Sequence, residues 1–300
     1  MKAQFFIKTK TIKRFFTVFA IMLTTVFFYS CEKGEDLQNL DENAEIINET
    51  YASEMFDEVE DIGDEAVDFL DNSSSKSAFE SEGIVIYNRL SPCANVTRIY
   101  EEDSVFVTID FGEENCLCND GRQRRGKIYI NHYGCYWGDG EAEIEFSFDN
   151  YFVDDNQILG NKYVYRFINE YQHRISEIIS DGSIILAEDA GTITWHAERV
   201  REAIEGSETH YKYDDVIEIT GTSNSTLADG TEITCEITTP LVRDNKEGCF
   251  RYIVSGVREI LKGEEEIIID YGDGTCDNLA EITRDGVTEI IEIKRRRSLF

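Results

Sequence analysis

From Gly83 to the C-terminus, apolar residues recur at every second position. That period confines the chain to extended strands with two unlike faces. Ala142, Ile144, Phe146 and Phe148 alternate with Glu141, Glu143, Glu145 and Ser147. The same alternation runs through Val105, Val107, Ile109 and Phe111, and through Tyr163, Tyr165 and Phe167. Asp120-Gly121, Asp139-Gly140, Asp181-Gly182, Asp229-Gly230 and Asp285-Gly286 punctuate these runs as turn signals. Pro92 and Pro240 are the only prolines, so little interrupts strand pairing. The reading over 83–300 is an all-β domain: a large antiparallel, strongly twisted sheet, or a sandwich or half-barrel. Each strand is expected to carry one apolar and one hydrophilic face.

One unit of this domain occurs twice. Val107-Thr108-Ile109-Asp110-Phe111-Gly112 leads to Cys116, and Ile267-Ile268-Ile269-Asp270-Tyr271-Gly272 leads to Cys276. Each is preceded by another cysteine, Cys93 or Cys249. Both spacings fit a β-hairpin stapled at its open end, and such a closure stabilises by roughly 3 kcal/mol in the chain-entropy model. The sheet is therefore read as built from a duplicated hairpin with a long-stranded meander, 141–240, between the copies. Cys118 and Cys135 are read as a further staple. Cys235 shares a strand face with Ile233 and Ile237, which makes it a buried, unpaired thiol.

Ahead of the sheet the period changes. Ile47, Tyr51, Met55, Val59, Ile62, Ala66 and Phe69 recur every three or four residues with acids between them, predicting an amphipathic helix over 45–71. Gly63 weakens it locally, and a linker over 72–82 follows. The helix is expected to lie on the sheet or to cross to the preceding segment, with a partner-binding role as the alternative.

The first thirty residues have a different character. Lys2, Lys8, Lys10, Lys13 and Arg14 precede the apolar run from Phe15 to Tyr29, and Ser30 stands before Cys31. This pattern predicts a lipoprotein signal peptide over 1–30 with lipidation at Cys31, although Phe28 and Tyr29 are bulky for the positions they hold. Acyl chains at about 0.8 kcal/mol per buried methylene would hold the chain on a bilayer, with 31–44 as an acidic tether.

Charge narrows the partners. The chain has 29 Lys+Arg and 60 Asp+Glu, a net charge of −31. Removal of 1–30 takes away five cations and no acids, leaving 24 against 60, or −36. Such a field disfavours nucleic acid and anionic headgroups as partners. Most acids are read as a solvated surface.

Several constellations invite chemistry. Asp110 and Asp270 could serve as a glycosidase pair, but each is more simply read as capping the turn after its strand. Asp270, Asp273, Asp277 and Asn278 form an oxygen-rich loop with weak Ca²⁺ character, since the alternate spacing of a calcium loop is absent. Cys116, Cys118, His132 and Cys135 can be drawn as a zinc site, but oxidation to disulfides fits an extracytoplasmic chain better. His132, His173, His196 and His210 are scattered. Trp137 and Trp195 with Tyr129, Tyr133 and Tyr136 could make a glycan platform or fill the sheet core. Asp103-Ser104-Val105 matches a short O-glycosylation pattern, which makes Ser104 a modification candidate. No catalytic residue, metal ligand or cofactor is assigned.

The signal ending in Cys31, the segment around Asp110 (IDFG, Cys116, DGR, GKI) and the near-terminal IDYGDGTCDN resemble an uncharacterised lipoprotein family of Bacteroidota. The resemblance implies an all-β fold and an outer-membrane address. Glu32, Glu35 and Asp36 resemble the export signal that takes such lipoproteins to the cell surface. It implies no reaction. The expected function is a non-enzymatic envelope lipoprotein, a binding or display module for a glycan or protein ligand. The alternatives are a half-barrel carrier of a lipid or other hydrophobic ligand and, third, a glycan-active enzyme.

Overall fold

The computed structural model describes residues 44–73, 90, 93–101, 104–134, 140–209, 214–246, 249 and 252–293. Cys31 with the signal and tether, Asp103, Cys135, Tyr136, Trp137 and His210 lie outside the described residues. Among the described residues no helix is long and apolar enough to cross a membrane.

Among the described residues one helix, α1 (Ala44–Ser73), precedes the strands, two residues longer at its C-terminal end than its periodicity predicts. The strands are β1 (Asn95–Glu101), β2 (Ser104–Asp110), β3 (Cys116–Leu117), β4 (Gln123–Gly134), β5 (Ala142–Val153), β6 (Asn156–Ile168) and β7 (Arg174–Ile185). They continue as β8 (Thr192–Glu205), β9 (Val216–Thr226), β10 (Glu232–Asp244), β11 (Tyr252–Lys262), β12 (Glu265–Asp273), β13 (Leu279–Arg284) and β14 (Val287–Glu292). All belong to one antiparallel sheet in which sequence neighbours are spatial neighbours, apart from the short β3, which pairs with β4. The sheet is a meander that does not close into a barrel.

Helix α1 crosses the strands on one face of this sheet. Glu49 reaches Arg258 on β11, and Gly63 lies over Ile130 on β4 and Phe146 on β5. Fourteen helical residues rise about 21 Å, whereas seven strand spacings run about 34 Å along the sheet. The sheet must therefore curve around the helix. Tyr51, Ala52, Met55, Phe56, Val59, Ile62 and Ala66 enter one core with Ile109, Ile128, Ile130, Ile144, Phe146 and Ile178. Each large apolar side chain buried this way contributes about 1.5–3 kcal/mol. A Cβ on Gly63 would stand 2.8 Å from the Phe146 ring and 2.9 Å from Ile130 Cδ1, so the residue that weakens the helix also allows its close approach.

Both hairpin staples form. Cys93 and Cys116 bracket β1–β2 with Cα atoms 6.0 Å apart, and Cys249 and Cys276 bracket β11–β12 with Cα atoms 5.4 Å apart. Cys235 is a free, buried thiol, as its strand alternation predicts, and burial pushes it up to about 12. The Cys118 staple is a correction: Cys118 is also free and buried, its Sγ 3.6 Å from the Cys116 carbonyl oxygen. It packs in the core beneath α1 instead of turning toward a partner.

Two further expectations are overturned. Asp181-Gly182 is no turn but the middle of β7, where Gly182 pairs with Gly160 of β6. A Cβ there would meet Leu159 O at 2.2 Å and Phe56 Cζ at 2.5 Å, so the glycine makes room for a close strand contact and a helix ring. On β6, the buried residues are Asn156, Ile158, Lys162, Val164 and Arg166, and Tyr163, Tyr165 and Phe167 lie on the opposite face. The core face of this strand carries two cations in its second half, because Glu60 of α1 stands above them.

Candidate functional site

The acids of α1 divide into groups that each meet cations rising from the sheet. Glu60 receives Lys162 Nζ at 2.9 Å, Arg201 at 2.9 Å and Arg166 at 3.1 Å. Burial alone would push its carboxyl up, but Lys162, Arg201 and Arg166 outweigh this and hold it well below the carboxylate range. Asp57 bonds Arg201 and lies 3.6 Å from Lys162 Nζ, which also donates to the Phe56 carbonyl at 3.1 Å. Glu58 bonds Arg124, whose fork also takes Asp120 at 2.9 and 2.7 Å. Glu49 bonds Arg258, and Thr50 Oγ1 accepts from the same guanidinium at 2.8 Å. These helix carboxylates are thus not the solvated surface that composition suggests.

Beside this seam a cavity of about 560 Å³ opens between α1 and strands β7–β13. Its apolar wall includes Trp195, Ile219, Ile237, Leu241 and Tyr271. Its polar wall includes Arg199, Arg201, Arg243 and Arg258 from the sheet, with Asp57 and Asp61 from the helix. The volume lies within the ~300–1,000 Å³ of small-molecule sites, and a mainly apolar lining with a few convergent polar groups is their usual character.

A bulge sets part of this lining. Ile237 pairs with Gly221 and Leu241 with Ile219, so β10 spends two more residues than β9 over the same stretch. Residues 238–240 are exposed, and Pro240, which lacks an N–H for the ladder, sits among them. After the bulge Leu241 and Arg243 return to the cavity face. Arg243 stands between Ile217 on β9 and Ile253 on β11.

The residues singled out from sequence fall elsewhere. Asp110 Oδ1 accepts from Gly112 N at 2.9 Å and Asp270 Oδ1 from Gly272 N at 2.8 Å, so each caps the turn after its strand. That hydrogen bond, with Lys127 at 3.0 Å, lowers the Asp110 carboxyl. The two stand on β2 and β12, with eight strands between them in the sheet order. Asp273 and Asp277 accept from the backbone N–H of Thr275 and Leu279. Among the described residues no group of three or more His, Cys, Asp or Glu side chains is placed to hold a metal. Ser104 opens β2, half-buried at its turn. Trp195 lines the cavity, whereas Tyr129 and Tyr133 follow the other parity on β4 and lie on the opposite face. They do not form one platform with Trp195.

The histidines are placed separately. His132 is buried on the inner face, and desolvation together with Arg166 pushes its pKa down to about 4. His173 Nδ1 lies 2.7 Å from Glu202, and His196 Nδ1 lies 2.7 Å from Asp181.

Sequence reasoning missed the inward cations altogether. Their trace is the spacing of Lys162 and Arg166 around Val164, and of Arg199 and Arg201 in register with Trp195 and Ala197. That trace gains meaning only beside an acidic helix. Comparison with protein-family models, with curated proteins and with solved structures finds no match to this chain.

Proposed function

We propose that the chain is a lipid-anchored, non-enzymatic module of the cell envelope that binds a small, largely apolar ligand between α1 and strands β7–β13. The cavity of about 560 Å³ carries this reading, because buried apolar side chains, Trp195, Ile219, Leu241 and Tyr271, face open space beneath the helix. It supports the binding and carrier alternatives over pure display. The address rests on the basic and apolar segment ending at Cys31, on the acids after it and on the family resemblance, and the proposed site is outer-membrane, facing the cell surface.

The neutral fluorophore N-phenyl-1-naphthylamine tests the cavity. It should bind the purified protein saturably at one site. Leu241→Trp, which fills the cavity from its buried wall, should weaken binding at least tenfold while leaving the far-ultraviolet circular dichroism unchanged. Absence of saturable binding would remove the binding reading. For the address, radiolabelled palmitate should enter the wild type and not Cys31→Ser, and protease shaving of intact cells reads surface exposure.

A further inference from the structure

The cavity cations are not equivalent. Arg258 is held by Glu49 and Thr50, Arg201 by Glu60 and Asp57, and Arg199 donates to Ser223 at 3.0 Å. The Arg243 side chain has no ion pair and no hydrogen bond among the described residues, and its Nε is buried without a partner. Burial and the like charge of Arg201 lower its pKa from the ordinary arginine value; Asp61, Asp57 and Glu60 oppose that shift without bonding it. A desolvated charge without a partner is costly, and a guanidinium keeps its charge where an ammonium would lose it. Within the sheet its neighbours are apolar: Ile217 and Ile253 flank it across the strands, and Leu241 precedes it on the same face. A planar fork of donors beside an apolar wall complements a terminal oxyanion on an alkyl chain.

Building on the binding reading above, we infer that Arg243 anchors the anionic head of a single-chain amphiphile, a carboxylate or phosphate monoester, whose tail lies along Leu241, Ile219 and Trp195. The charge of the whole chain argues against such a ligand at long range. At contact distance Arg243 supplies the complementary charge, the other cavity arginines being matched by the carboxylates that share the lining, and salt screens the rest.

Titration calorimetry of the purified protein with dodecanoate, dodecyl phosphate, dodecanol and dodecyltrimethylammonium tests this, each probe kept below its micelle concentration. At least one oxyanion should bind tenfold or more tighter than dodecanol, and the difference between the two oxyanions identifies carboxylate or phosphate. Arg243→Met should abolish that preference and leave the dodecanol affinity unchanged, while Arg243→Lys keeps part of it. The methionine variant should melt no lower than the wild type, since it removes an unpaired charge. Dodecanol or the ammonium binding as tightly as the oxyanions, or a preference that survives Arg243→Met, overturns the anchor while leaving the cavity reading intact. Failure of all four probes to bind removes both.

Discussion

Glu60 is the place where the seam between helix and sheet is most exposed to a single substitution. Glu60→Leu deletes a buried carboxylate that accepts from Lys162, Arg166 and Arg201, and leaves those cations in the low-dielectric interior. Removing one member of a buried ionic cluster costs about 3–5 kcal/mol, because the remaining charge keeps its desolvation penalty. Asp57 still bonds Arg201 and still lies 3.6 Å from Lys162, so the lower end, about 3 kcal/mol, is expected. Against a total of about 5–15 kcal/mol for a folded domain, that is a large fraction. Urea unfolding followed by far-ultraviolet circular dichroism measures it. The double variant Glu60→Leu, Lys162→Met should recover about 1 kcal/mol or more of the loss, because both charges then leave the interior together. The acid limb adds a second readout. A carboxyl held below its unfolded value contributes stability that is present above the ordinary carboxylate range and lost as pH falls through its folded pKa. The wild type should therefore lose stability more steeply in acid than Glu60→Leu. A cost below about 1 kcal/mol, the size expected of an exposed pair, with an additive double variant, would refute the claim that this cluster fastens the helix.

Gly182→Ala should destabilise by about 1–3 kcal/mol, since its Cβ would meet the Leu159 carbonyl and the Phe56 ring at once; a melting temperature equal to wild type would contradict that packing. His132 titrates near pH 4 in the fold and near 6.5 when unfolded, so stability present above pH 6.5 should decline as pH falls toward 4. The effect is at most about 3 kcal/mol, and urea midpoints at pH 4.5 and 7 should differ less in His132→Leu than in wild type. Non-reducing peptide mapping should recover Cys93–Cys116 and Cys249–Cys276, with Cys118 and Cys235 alkylated only after denaturation. A link between Cys116 and Cys249 would mean that the hairpins are not stapled separately.

The parts legible in the sequence are those set by short separations. Alternation marks Ile144 and Phe146 as inward, the helical period marks Tyr51, Met55, Val59, Ile62 and Ala66, and the 23- and 27-residue cysteine spacings mark the hairpin ends. What alternation cannot say is which parity faces the core. On β6 the aromatic set is the obvious candidate, and it faces out, because Glu60 meets Lys162 and Arg166 from about a hundred residues away. The Asp181-Gly182 pair has the local chemistry of a turn, and a helix ring from elsewhere in the chain decides that it is a strand contact. The cavity depends on two such distant facts together, the bulge at 238–240 and the path of α1. Neither has a local signature strong enough to expose Arg243.

The path of α1 also bears on how the fold can be reached. Sheet neighbours are mostly successive in the chain, so hairpins can add one at a time with short loop closures. The helix is different: its partners on β6, β8 and β11 lie 106, 144 and 209 residues downstream. It is synthesised ahead of every strand, yet it can dock completely only after β11 is in place. Until then its acids remain hydrated and keep an apolar stripe soluble. Docking should therefore be a late event in folding, with the separation of α1 from the sheet an early one in unfolding. Hydrogen exchange would then find the amides of α1 opening before those of the central strands, so that the element ahead of the strands is the last to be secured.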